Sequence, residues 1–497
     1  MIESRGIMDQ EASGHRLDEL LEGVAGPQAA VPPVLVSGVA YDSRHVRPGD
    51  AFFCIPGFAH DGHEFAAKAV ERGAAALVVK HPLPLLACPQ VVVDDPRAAL
   101  AIAASRFYGR PSERLRVVGI TGTNGKTTTA YLLDAVLRAA GMTTGVIGTV
   151  GTRVAGVHRG SVRTTPESTD LQALFAEMLG EGVGTAVMEV SSHAIDLHRV
   201  DEVRFEVAAF TNLSQDHLDY HSTLEEYFSV KRRLFTEFDL GTAVIDIDDP
   251  AGVALAADVA DKGLLTVGRS ETAAVRPLDE QPGPVSTTFT LSTPDGSALV
   301  KLPLPGRFNV SNALVAAGCA LALGVPVATV AEGLSGAPQG PGRLERVEAG
   351  QPFAVLVDYA HTPDGLEKAI EAVRAVTPGR LITVFGCGGD RDPDKRPRMG
   401  EAAGRGSDLA IATSDNPRSE DPVGILLAVE DGLKASGGSY EMEVDRRRAI
   451  ARAVELAKAG DAVLVAGKGH EDYQIFADRT IHFDDREVAR EELASRC

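Results

Sequence analysis

The chain has 497 residues, which is enough for about three domains of ordinary size. Its 49 Lys and Arg residues face 69 Asp and Glu residues, a net charge of −20 with no basic block, so nucleic acid and anionic membranes are poor partners. The five cysteines lack C-x-x-C spacing and the acidic N-terminal residues lack an apolar segment, so we expect a cytoplasmic protein without disulfides, a zinc site or a signal peptide.

Two stretches rich in turn residues, 108–113 and 336–342, separate the patterned segments. They predict three domains, over residues 1–112, 113–340 and 341–497. The longest uncharged run, 313–331, is rich in Ala and is interrupted by Gly324 and Pro326. That interruption favours a buried helix and turn over a membrane span.

Residues 119–130, GITGTNGKTTTA, have the composition of a phosphate-binding loop. A strand is predicted at 115–120 and a helix at 126–140, with Gly141 as the C-terminal cap of the helix. Such a turn points backbone N–H groups at an anion, while Lys126 can reach the outer phosphates and Thr127 can bind magnesium. The Walker pattern requires a glycine where Ile120 stands, so the loop misses the general consensus by one residue.

Strands predicted at 185–190 and 205–211 alternate with helical patterns, which indicates a mostly parallel sheet in the middle segment. Glu189 and His193 follow the first of these strands, and residues 211–221, TNLSQDHLDYH, follow the second. Because parallel strands end at one edge of a sheet, an acidic residue and a histidine from these loops can hold magnesium against bound phosphates.

The H-x-x-x-H spacing of His217 and His221 also admits a zinc hydrolase, which stays open as a rival interpretation. Leu218 stands where that motif needs its general-base Glu. Residues 223–226 form a capping box, so we expect residues 216–222 to be a loop and the helix to follow it. Lys231 lies on that helix and, taken alone, fits a solvated surface lysine.

The third segment has strands predicted at 353–358, 380–385, 408–413 and 461–466. Polar loops follow these strands, at 358–363 (DYAHTP), 386–397 (GCGGDRDPDKRP), 414–418 (SDNPR) and 467–473 (GKGHEDY). Four such loops in one domain predict a second ligand platform. The predicted fold is α/β, with a central P-loop-type, mostly parallel sheet, a Rossmann-like C-terminal domain and a smaller N-terminal α/β domain.

Taken together, residues 122–127, 191–193, 212–217, 358–363, 415–418 and 467–471 closely resemble the motifs of the Mur ligases of bacterial cell-wall synthesis, in the same order. The phosphate loop of this family is G-T-N-G-K-T, which accounts for the departure from the Walker pattern. The resemblance implies an ADP-forming amide ligase of peptidoglycan precursor synthesis. It would add meso-2,6-diaminopimelate to the D-glutamate of UDP-N-acetylmuramoyl-L-alanyl-D-glutamate, through an acyl phosphate formed with ATP.

The resemblance also implies the ligands of each substrate. ATP would be bound by Gly122, Thr123, Asn124, Gly125, Lys126, Thr127, Thr128, Asn309, Arg343 and Asp358. The UDP-muramoyl dipeptide would be bound by Tyr41, Ser43, Phe58, Ala59, His60, Thr164, Thr165, Ser191 and Arg199. Diaminopimelate would be bound by Arg391, Asp415, Asn416, Pro417, Arg418, Gly467 and Glu471. Family members often carry Gln where this chain has Leu197, which puts one substrate contact in doubt.

For catalysis the resemblance points to Lys126, His217 and Lys231. Lys231 matches a lysine that carbon dioxide converts to a carbamate, and two magnesium ions would neutralise the anions at the reacting centre. The metal ligands would be Thr127, Glu189, His217 and carbamylated Lys231. We expect a monomer with no nucleic-acid partner and no membrane insertion.

Three other activities stay open at this point. A related ligase could add L-lysine, although Arg418 would then lack the extra carboxylate of diaminopimelate. Folylpolyglutamate synthetase shares the phosphate loop but typically has Gly where this chain has Thr127. A P-loop switch would bind nucleotide without any ligation.

Overall fold

The computed structural model of the protein describes residues 14–24, 31–57, 60–160, 163–283 and 286–496. Phe58 and Ala59, two of the residues expected to bind the UDP end of the substrate, lie outside the described residues. The described residues divide into two compact units, one from 1–121, 142–208 and 230–241 and the other from 122–141, 209–229 and 242–497. The boundaries expected near residues 112 and 340 stay predictions.

The N-terminal part of the first unit contains a small parallel sheet. The strands are β1 (His15–Arg16), β2 (Leu35–Val36), β3 (Gly38–Ala40), β4 (Asp50–Phe53), β5 (Ala76–Val79) and β6 (Gln90–Val92). The helices are α1 (Leu17–Leu20), α2 (Ala66–Glu71) and α3 (Pro96–Phe107), with 3-10 turns at Gly62–Phe65 and Pro111–Glu113. β3 to β6 pair in chain order and in parallel, and β1 pairs with β2 in the antiparallel sense. Successive residues alternate between two cores, Phe53 in one and Phe52 in the other, so both faces of this sheet are covered.

The middle of the chain contains the sheet that carries the phosphate loop. Its strands are β7 (Arg116–Thr121), β8 (Thr144–Gly148), β9 (Gly151–Val154), β10 (Val157–Arg159), β11 (Thr185–Glu189), β12 (Phe205–Phe210), β13 (Leu240–Asp246) and β14 (Gly263–Val267). The helices are α4 (Lys126–Ala139), α5 (Ser168–Gly180), α6 (Ser192–Asp196), α7 (Leu224–Thr236), α8 (Pro250–Asp258), α9 (Arg307–Ala322) and α10 (Val327–Ser335). A separate antiparallel sheet consists of β15 (Arg276–Pro282), β16 (Thr287–Thr293) and β17 (Gly296–Leu302).

The eight-stranded sheet has the order β10-β9-β8-β11-β7-β12-β13-β14. β8, β11 and β7 are parallel to one another, as are β13 and β14, whereas β9 and β10 form an antiparallel extension at one edge. The strands predicted near 115, 185 and 205 are confirmed, and so is the helix at 126–140, which Gly141 follows with φ +75°. Residues 216–222 lie outside any helix, as the capping box predicts.

The C-terminal part of the second unit is a doubly wound sheet. The strands are β18 (Glu345–Arg346), β19 (Ala354–Asp358), β20 (Leu381–Cys387), β21 (Leu409–Ser414), β22 (Tyr440–Met442), β23 (Ala462–Ala466), β24 (Tyr473–Ile475) and β25 (Thr480–His482). The helices are α11 (Pro363–Arg374), α12 (Lys395–Gly406), α13 (Pro422–Ser436), α14 (Arg446–Leu456) and α15 (Asp485–Arg496). The order β18-β19-β23-β20-β21-β22 is parallel except for β18, and β24 and β25 form a separate hairpin.

Alternating residues of this sheet enter two separate cores, which confirms the Rossmann-like layering. Leu356 packs in the core that contains the apolar residues of α11, α12 and α13. Its neighbours Val355 and Val357 pack in the core that contains those of α14 and α15. With helices on both faces, the strand-end loops are the part of the sheet left open to a ligand.

Glycines allow α12 and α13 to approach each other closely. A Cβ added at Gly432 would overlap the carbonyl oxygen of Pro397, and one at Gly400 would overlap that of Val429. Gly424, also on α13, has room for a side chain, since the nearest atoms to a Cβ there are 3.9 Å away.

We expect Gly432→Ala to destabilise the protein by about 1–3 kcal/mol, because the added methyl group forces two helix backbones apart. The matched control is Gly424→Ala, which should leave stability unchanged or raise it by up to about 1 kcal/mol, because alanine favours the helix. Thermal unfolding followed by circular dichroism measures both variants. Equal melting temperatures for the two variants would contradict the close-packing argument.

Candidate functional site

The phosphate loop joins β7 to α4, which begins at Lys126 directly after Gly125. Gly122 (φ +139°) and Gly125 (φ +87°) have backbone conformations that a side chain would strain. A Cβ at Gly122 would also overlap Thr211 Oγ1, and one at Gly125 would overlap Asn312 Oδ1. Both glycines are therefore required for the shape of the loop.

The loop after β12 forms several hydrogen bonds with the phosphate loop. The N–H of Thr123 donates to Asn212 O (2.9 Å), and Thr123 Oγ1 donates to Ser214 O (3.1 Å). The carbonyl oxygen of Asn124 accepts hydrogen bonds from Thr211 Oγ1 (2.7 Å) and Asn212 Nδ2 (3.1 Å). The two strand-end loops thus lie together, as the parallel pattern predicts, and each fixes the shape of the other.

Two cationic side chains, those of Lys126 and Arg343, lie at the start of α4. Lys126 Nζ donates to the carbonyl oxygens of Gly122 and Thr123, each at 2.8 Å. Arg343 Nη2 donates to Thr127 Oγ1 (3.0 Å), and the positive end of the helix dipole faces the same turn. A lysine, an arginine and a helix N-terminus together suit a polyphosphate.

Asp216 is the acidic partner of this cationic group. Burial acts to raise its pKa, but the charges of His217, His361, Lys395 and Lys126 outweigh burial and lower the pKa of Asp216 to about 2. Asp216 Oδ2 lies 3.3 Å from His217 Nε2. The carboxylate therefore stays ionised near neutral pH and holds the surrounding cations together.

The predicted nucleotide ligands outside the loop lie around it. The Arg343 guanidinium stacks over the Tyr359 ring, 4.7 Å from its centroid. Asp358 is occupied by backbone groups, since it accepts hydrogen bonds from the N–H of Leu344 (2.7 Å) and of Ala360 (2.8 Å). Burial raises the pKa of Asp358 against the opposing charge of Arg343.

Helices also reach the loop. Asn309 is buried behind Asn312, whose Nδ2 donates to Asn309 Oδ1 (3.3 Å). Asn124 Nδ2 donates to Asp364 Oδ2 (2.8 Å) at the start of α11. Thr128 is buried in the first turn of α4.

In the first unit, several predicted residues meet at the end of β11. Thr149 donates its N–H (2.8 Å) and its hydroxyl (3.1 Å) to the buried Glu189 carboxylate. Thr165 Oγ1 donates to the backbone oxygen of Glu189 (2.9 Å) and accepts from the N–H of Ser191 (3.2 Å). Thr164 Oγ1 lies 3.0 Å from Thr149 Oγ1. This strand end is therefore a fixed cluster of hydroxyl groups around one carboxylate.

Arginines form a second cluster beside these threonines. Arg97 Nη1 donates to Glu167 (2.9 Å), and the same carboxylate pairs with Arg199 (3.0 Å) and Arg163 (3.9 Å). Arg199 Nη1 also donates to Thr165 O (3.3 Å). Three guanidinium groups share one carboxylate, which leaves positive charge for an anionic substrate.

The remaining residues predicted to bind the dipeptide substrate differ in their burial and hydrogen bonding. The Tyr41 hydroxyl donates to Asp170 (2.7 Å), and Ser43 is buried. His60 is exposed, and its backbone oxygen accepts a hydrogen bond from the N–H of Gly57 (2.9 Å). Leu197 is the C-terminal cap residue of α6.

Lys231 is enclosed in the protein, with only 1% of its surface exposed, so its interpretation as a solvated surface lysine is wrong. It lies on α7, where the N–H of Glu226 donates to Thr223 Oγ1 (3.1 Å) and Glu226 Oε2 accepts from the N–H of Ser222 (2.7 Å). An ammonium in such a place is costly unless it is well paired or chemically modified.

The geometry gives no support to the zinc-hydrolase interpretation of His217 and His221. Among the described residues, one group of three His, Cys, Asp or Glu side chains is close enough to hold a metal, namely Asp61, His63 and His81. His63 is occupied on both nitrogens there, since Nδ1 lies 2.6 Å from Asp61 Oδ1 and Nε2 accepts from the N–H of Lys80 (3.0 Å).

Arg418 is held between two loops of the C-terminal sheet. Its backbone is left-handed (φ +53°), which is uncommon without glycine, and its N–H donates to Ile475 O (3.0 Å). Arg418 Nη1 donates to Gly389 O (2.7 Å), and a Cβ at Gly389 would overlap Pro417 O. No residue that the structure describes accepts a hydrogen bond from Nε or Nη2 of Arg418. The edge of the guanidinium that carries these two nitrogens is therefore available to a ligand.

The other predicted amino-acid ligands come from three loops. Asn416 Nδ2 donates to Glu471 Oε2 (2.8 Å), which joins the loops after β21 and β23. Gly467 has φ +121°, and a Cβ there would lie 3.1 Å from Asp415 Oδ2. Arg391 is exposed and donates to Asp390 O (2.9 Å) in its own loop.

Four buried charged residues at these sites are absent from the predicted set: Lys395, Arg446, Lys468 and Asp485. Arg446 forms a two-bond pair with Asp485, at 2.7 and 2.6 Å, and donates to Ala466 O (3.0 Å). Lys395 is the first residue of α12, where the helix dipole disfavours a cation. The sequence carries no signal of their burial, since three of them stand at helix starts and Lys468 stands in a loop.

A phosphate loop on a mostly parallel sheet, followed in the same chain by a Rossmann-like platform of polar loops, defines a nucleotide-dependent enzyme with further substrates. Family models match most of the chain: "Mur ligase family, catalytic domain" at residues 35–108, "Mur ligase middle domain" at 120–320 and "Mur ligase, glutamate ligase domain" at 342–469. The chain belongs to the Mur ligase family.

Two similar proteins carry the name UDP-N-acetylmuramoyl-L-alanyl-D-glutamate–2,6-diaminopimelate ligase. The protein from Geobacillus thermodenitrificans is 48% identical over 464 residues, which cover 92% of this chain and 94% of that protein. The protein from Gloeobacter violaceus is 48% identical over 485 residues, which cover 97% and 98%. A solved structure with the same name is 32% identical, has a TM-score of 0.69, and covers 97% of this chain and 99% of its own.

The folylpolyglutamate synthase of Mycobacterium tuberculosis, solved with ADP and AMPPCP, shares the fold. It is 20% identical, with a TM-score of 0.59, and the match covers 75% of this chain and 92% of that one. The much higher identity to the diaminopimelate ligases favours the first prediction from the motifs over this alternative.

None of the helices in the described ranges combines the length and apolar character needed to cross a membrane.

We expect Lys126→Ala to fold normally and to lose nearly all ligation, because the lysine bonds to carbonyl oxygens of its own loop and its charge aligns phosphates. ADP release in the presence of all substrates measures the effect, and circular dichroism measures the fold. Lys301→Ala, which removes an exposed lysine of β17, is the control. Turnover like that of the wild type in Lys126→Ala would refute the phosphate-loop assignment.

Proposed function

We propose that this chain joins meso-2,6-diaminopimelate to the D-glutamate of UDP-N-acetylmuramoyl-L-alanyl-D-glutamate at the expense of ATP. The observation that carries the proposal is Arg418, whose fork keeps Nε and Nη2 available at the edge of the C-terminal sheet. Diaminopimelate differs from lysine by one carboxylate on its distal carbon, and a guanidinium can bind a carboxylate with two parallel hydrogen bonds. The relatives that are 48% identical bear the name of this reaction.

ATP is needed because a carboxylate does not form an amide directly in water: its charge repels nucleophiles, and its leaving group would be poor. The γ-carboxylate of the D-glutamate attacks the γ-phosphorus of ATP, and ADP leaves. The neutral amine of diaminopimelate then attacks the acyl carbon, phosphate leaves with the bonding electrons, and the nitrogen releases one proton to the departing phosphate or to water. Each step needs the reacting groups aligned and their negative charge balanced.

The nucleotide lies on the loop at 122–127, where the backbone N–H groups and Lys126 hold the outer phosphates in line with the carboxylate. The Asp216 carboxylate, whose pKa is lowered to about 2, lies among the positive charges of this site. Arg343 reaches the same turn, while Asn309 and Asp358 fix the surfaces on either side of the nucleotide. This division assigns ATP to residues 113–340, the UDP end of the substrate to 1–112 and the amino acid to 341–497.

The proposed magnesium ligands are Thr127, Glu189, His217 and Lys231. Thr127 and Glu189 have oxygen ligand atoms and His217 has imidazole nitrogens, so these three residues need no chemical modification to bind a metal. The enclosure of Lys231 is the test of fit, because carbamylation by carbon dioxide would place two anionic oxygens, which suit magnesium, at this buried position. Magnesium would supply positive charge to the phosphates during transfer.

The dipeptide substrate lies on the first unit. Tyr41, Ser43, Phe58, Ala59 and His60 receive the uridine end. Thr164, Thr165, Ser191 and Arg199 receive the muramoyl dipeptide, and Leu197 offers no hydrogen bond where relatives often have Gln. The protein acts as a monomer in the cytoplasm.

The proposal is tested by omitting one substrate at a time. ADP and phosphate should form only when the UDP-muramoyl dipeptide, ATP and diaminopimelate are all present, and the amide product should appear in equal amount. Hydrolysis of ATP that does not depend on the other two substrates would favour a nucleotide switch. Activity with a folate and glutamate would favour the other ligase.

We expect Lys231→Ala to be inactive and to regain part of its activity with small carboxylates such as acetate, because these can supply the missing anionic oxygens. The measurement is the ligation rate against carboxylate concentration, with Lys301→Ala as the control for lysine loss. Full activity without added carboxylate would show that the carbamate has no role.

We expect the wild type to prefer meso-diaminopimelate strongly over L-lysine, and Arg418→Lys to lose most of that preference while still binding ATP. A desolvated charge pair of this kind contributes about 2–5 kcal/mol, and an ammonium cannot reproduce the planar fork. The measurement is the ratio of kcat/KM for the two amino acids. Arg405→Lys, an exposed change on α12, is the control.

An unchanged ratio in Arg418→Lys, or a wild type that prefers lysine, would rule out this role for the loop.

A further inference from the structure

Lys468 is an ammonium completely enclosed among the strand-end loops, with 0% of its surface exposed. Its Nζ donates to Tyr473 O (2.6 Å) and to Asn416 Oδ1 (3.1 Å). It also lies 3.3 Å from Asp415 Oδ1 and 3.5 Å from Glu471 Oε2. One side chain therefore connects the loop after β21, the loop after β23 and the start of the β24–β25 hairpin.

These contacts fix the orientation of the Asn416 amide. Asn416 Oδ1 accepts from Lys468 Nζ and from the N–H of Ile475 (3.0 Å), so the oxygen must face these two donors. The NH₂ group is thereby turned to Glu471 Oε2, to which it donates at 2.8 Å. The position of the Glu471 carboxylate follows from that of Lys468, directly and through Asn416.

The carboxylates of this loop cluster outnumber its cations, and the extra carboxylate, that of Glu471, is partly exposed. Asp415, Glu471 and Asp485 provide three carboxylates, whereas Lys468 and Arg446 provide two cations. Asp485 is matched by its two-bond pair with Arg446, so Asp415 and Glu471 share the single ammonium of Lys468. The cluster lacks one positive charge.

The pKa values of the two carboxylates that share Lys468 shift in opposite directions. Burial opposes ionisation of Asp415, but Lys468 and Arg446 outweigh burial and lower its pKa. Burial and the Asp415 charge raise the pKa of Glu471, against the opposing charge of Lys468. A further cation near this cluster would therefore lower the pKa of Glu471. Among the residues that the structure describes, the polar side chains around Glu471 are Asp415, Asn416, Lys468, Arg446, Tyr359 and Tyr473.

We propose that Lys468 is the positioning residue of the amino-acid site: it holds Asn416 and Glu471, two of the proposed amino-acid ligands, in the one arrangement that receives the incoming amino acid. This inference rests on the proposed function and adds the residue that organises its amino-acid specificity. Lys468 itself is enclosed by protein groups and acts through Glu471.

The test is Lys468→Met, which keeps the length of the side chain and removes its charge. The KM for diaminopimelate should rise by at least about 30-fold, while the KM values for ATP and for the dipeptide substrate stay unchanged. Because Lys468 opposes the rise in the Glu471 pKa, its loss should also move the acid limb of kcat/KM for diaminopimelate to higher pH. Lys434→Met, an exposed change on α13, is the control.

An unmoved acid limb, or an equal rise of all three KM values with a lower melting temperature, would overturn the inference. If Lys468→Met does not fold, Lys468→Arg decides: it keeps the charge, so the acid limb should stay in place, and a shifted limb would overturn the inference. A wild type that ligates no diaminopimelate would refute the proposed function instead, so the two failures are distinguishable.

Discussion

Both proposed ligand sites depend on one constraint, which is that parallel strands deliver their polar loops to the same edge of a sheet, where each buried charge needs a partner. In the C-terminal sheet the pair of Arg446 and Asp485 meets this constraint. Arg446 bonds to the backbone oxygens of Ala466 (3.0 Å) and Ser414 (3.4 Å), the last residues of β23 and β21. Burying such a pair costs desolvation energy, and the pair is tolerated because each charged group has several partners. Two of the loops proposed to bind the amino acid thereby start from fixed points.

The sign of the charge differs between the two clusters of the second unit in the way their proposed ligands require. Around the phosphate loop, Asp216 is surrounded by the charges or potential charges of Lys126, His217, His361 and Lys395, which leaves room for a polyphosphate. Around Lys468 the carboxylates outnumber the cations once the partly exposed Glu471 is included, which suits an ammonium ligand. Electrostatic complementarity of this kind selects the ligand class, whereas single hydrogen bonds select within the class.

Much of this arrangement is readable in the sequence, because strands with apolar runs and polar ends repeat through it. The strands at β7, β11, β12, β19, β20, β21 and β23, the helix after the phosphate loop and the loop before α7 are all where the pattern places them. Asn416 and Glu471 are predicted from motifs, and the structure brings them to 2.8 Å from each other. Local pattern and global fold agree at these positions.

What the sequence does not reveal are interactions between residues far apart in the chain. Arg446 and Asp485 are 39 residues apart, and each alone has the pattern of an ordinary charged residue at a helix start. Lys231 fits a surface lysine by sequence, and only tertiary packing encloses it. Burial of a charge depends on what packs against it, so periodicity alone cannot report it.

The departure of the phosphate loop from the Walker pattern has a structural cause of the same kind. Ile120 is buried in β7, which continues to Thr121, so the turn begins only at Gly122 and is short. Gly119 lies inside the strand, where a Cβ would come 2.6 Å from the Phe205 ring, and it has no part in the turn. A short turn has fewer of its own groups to fix its shape, and here the loop after β12 supplies them through Thr211, Asn212 and Ser214. Hydrogen bonds from the loop after β12 therefore fix the shape of the turn. The same loop carries Asp216 and His217, so the shape of the phosphate site depends on it.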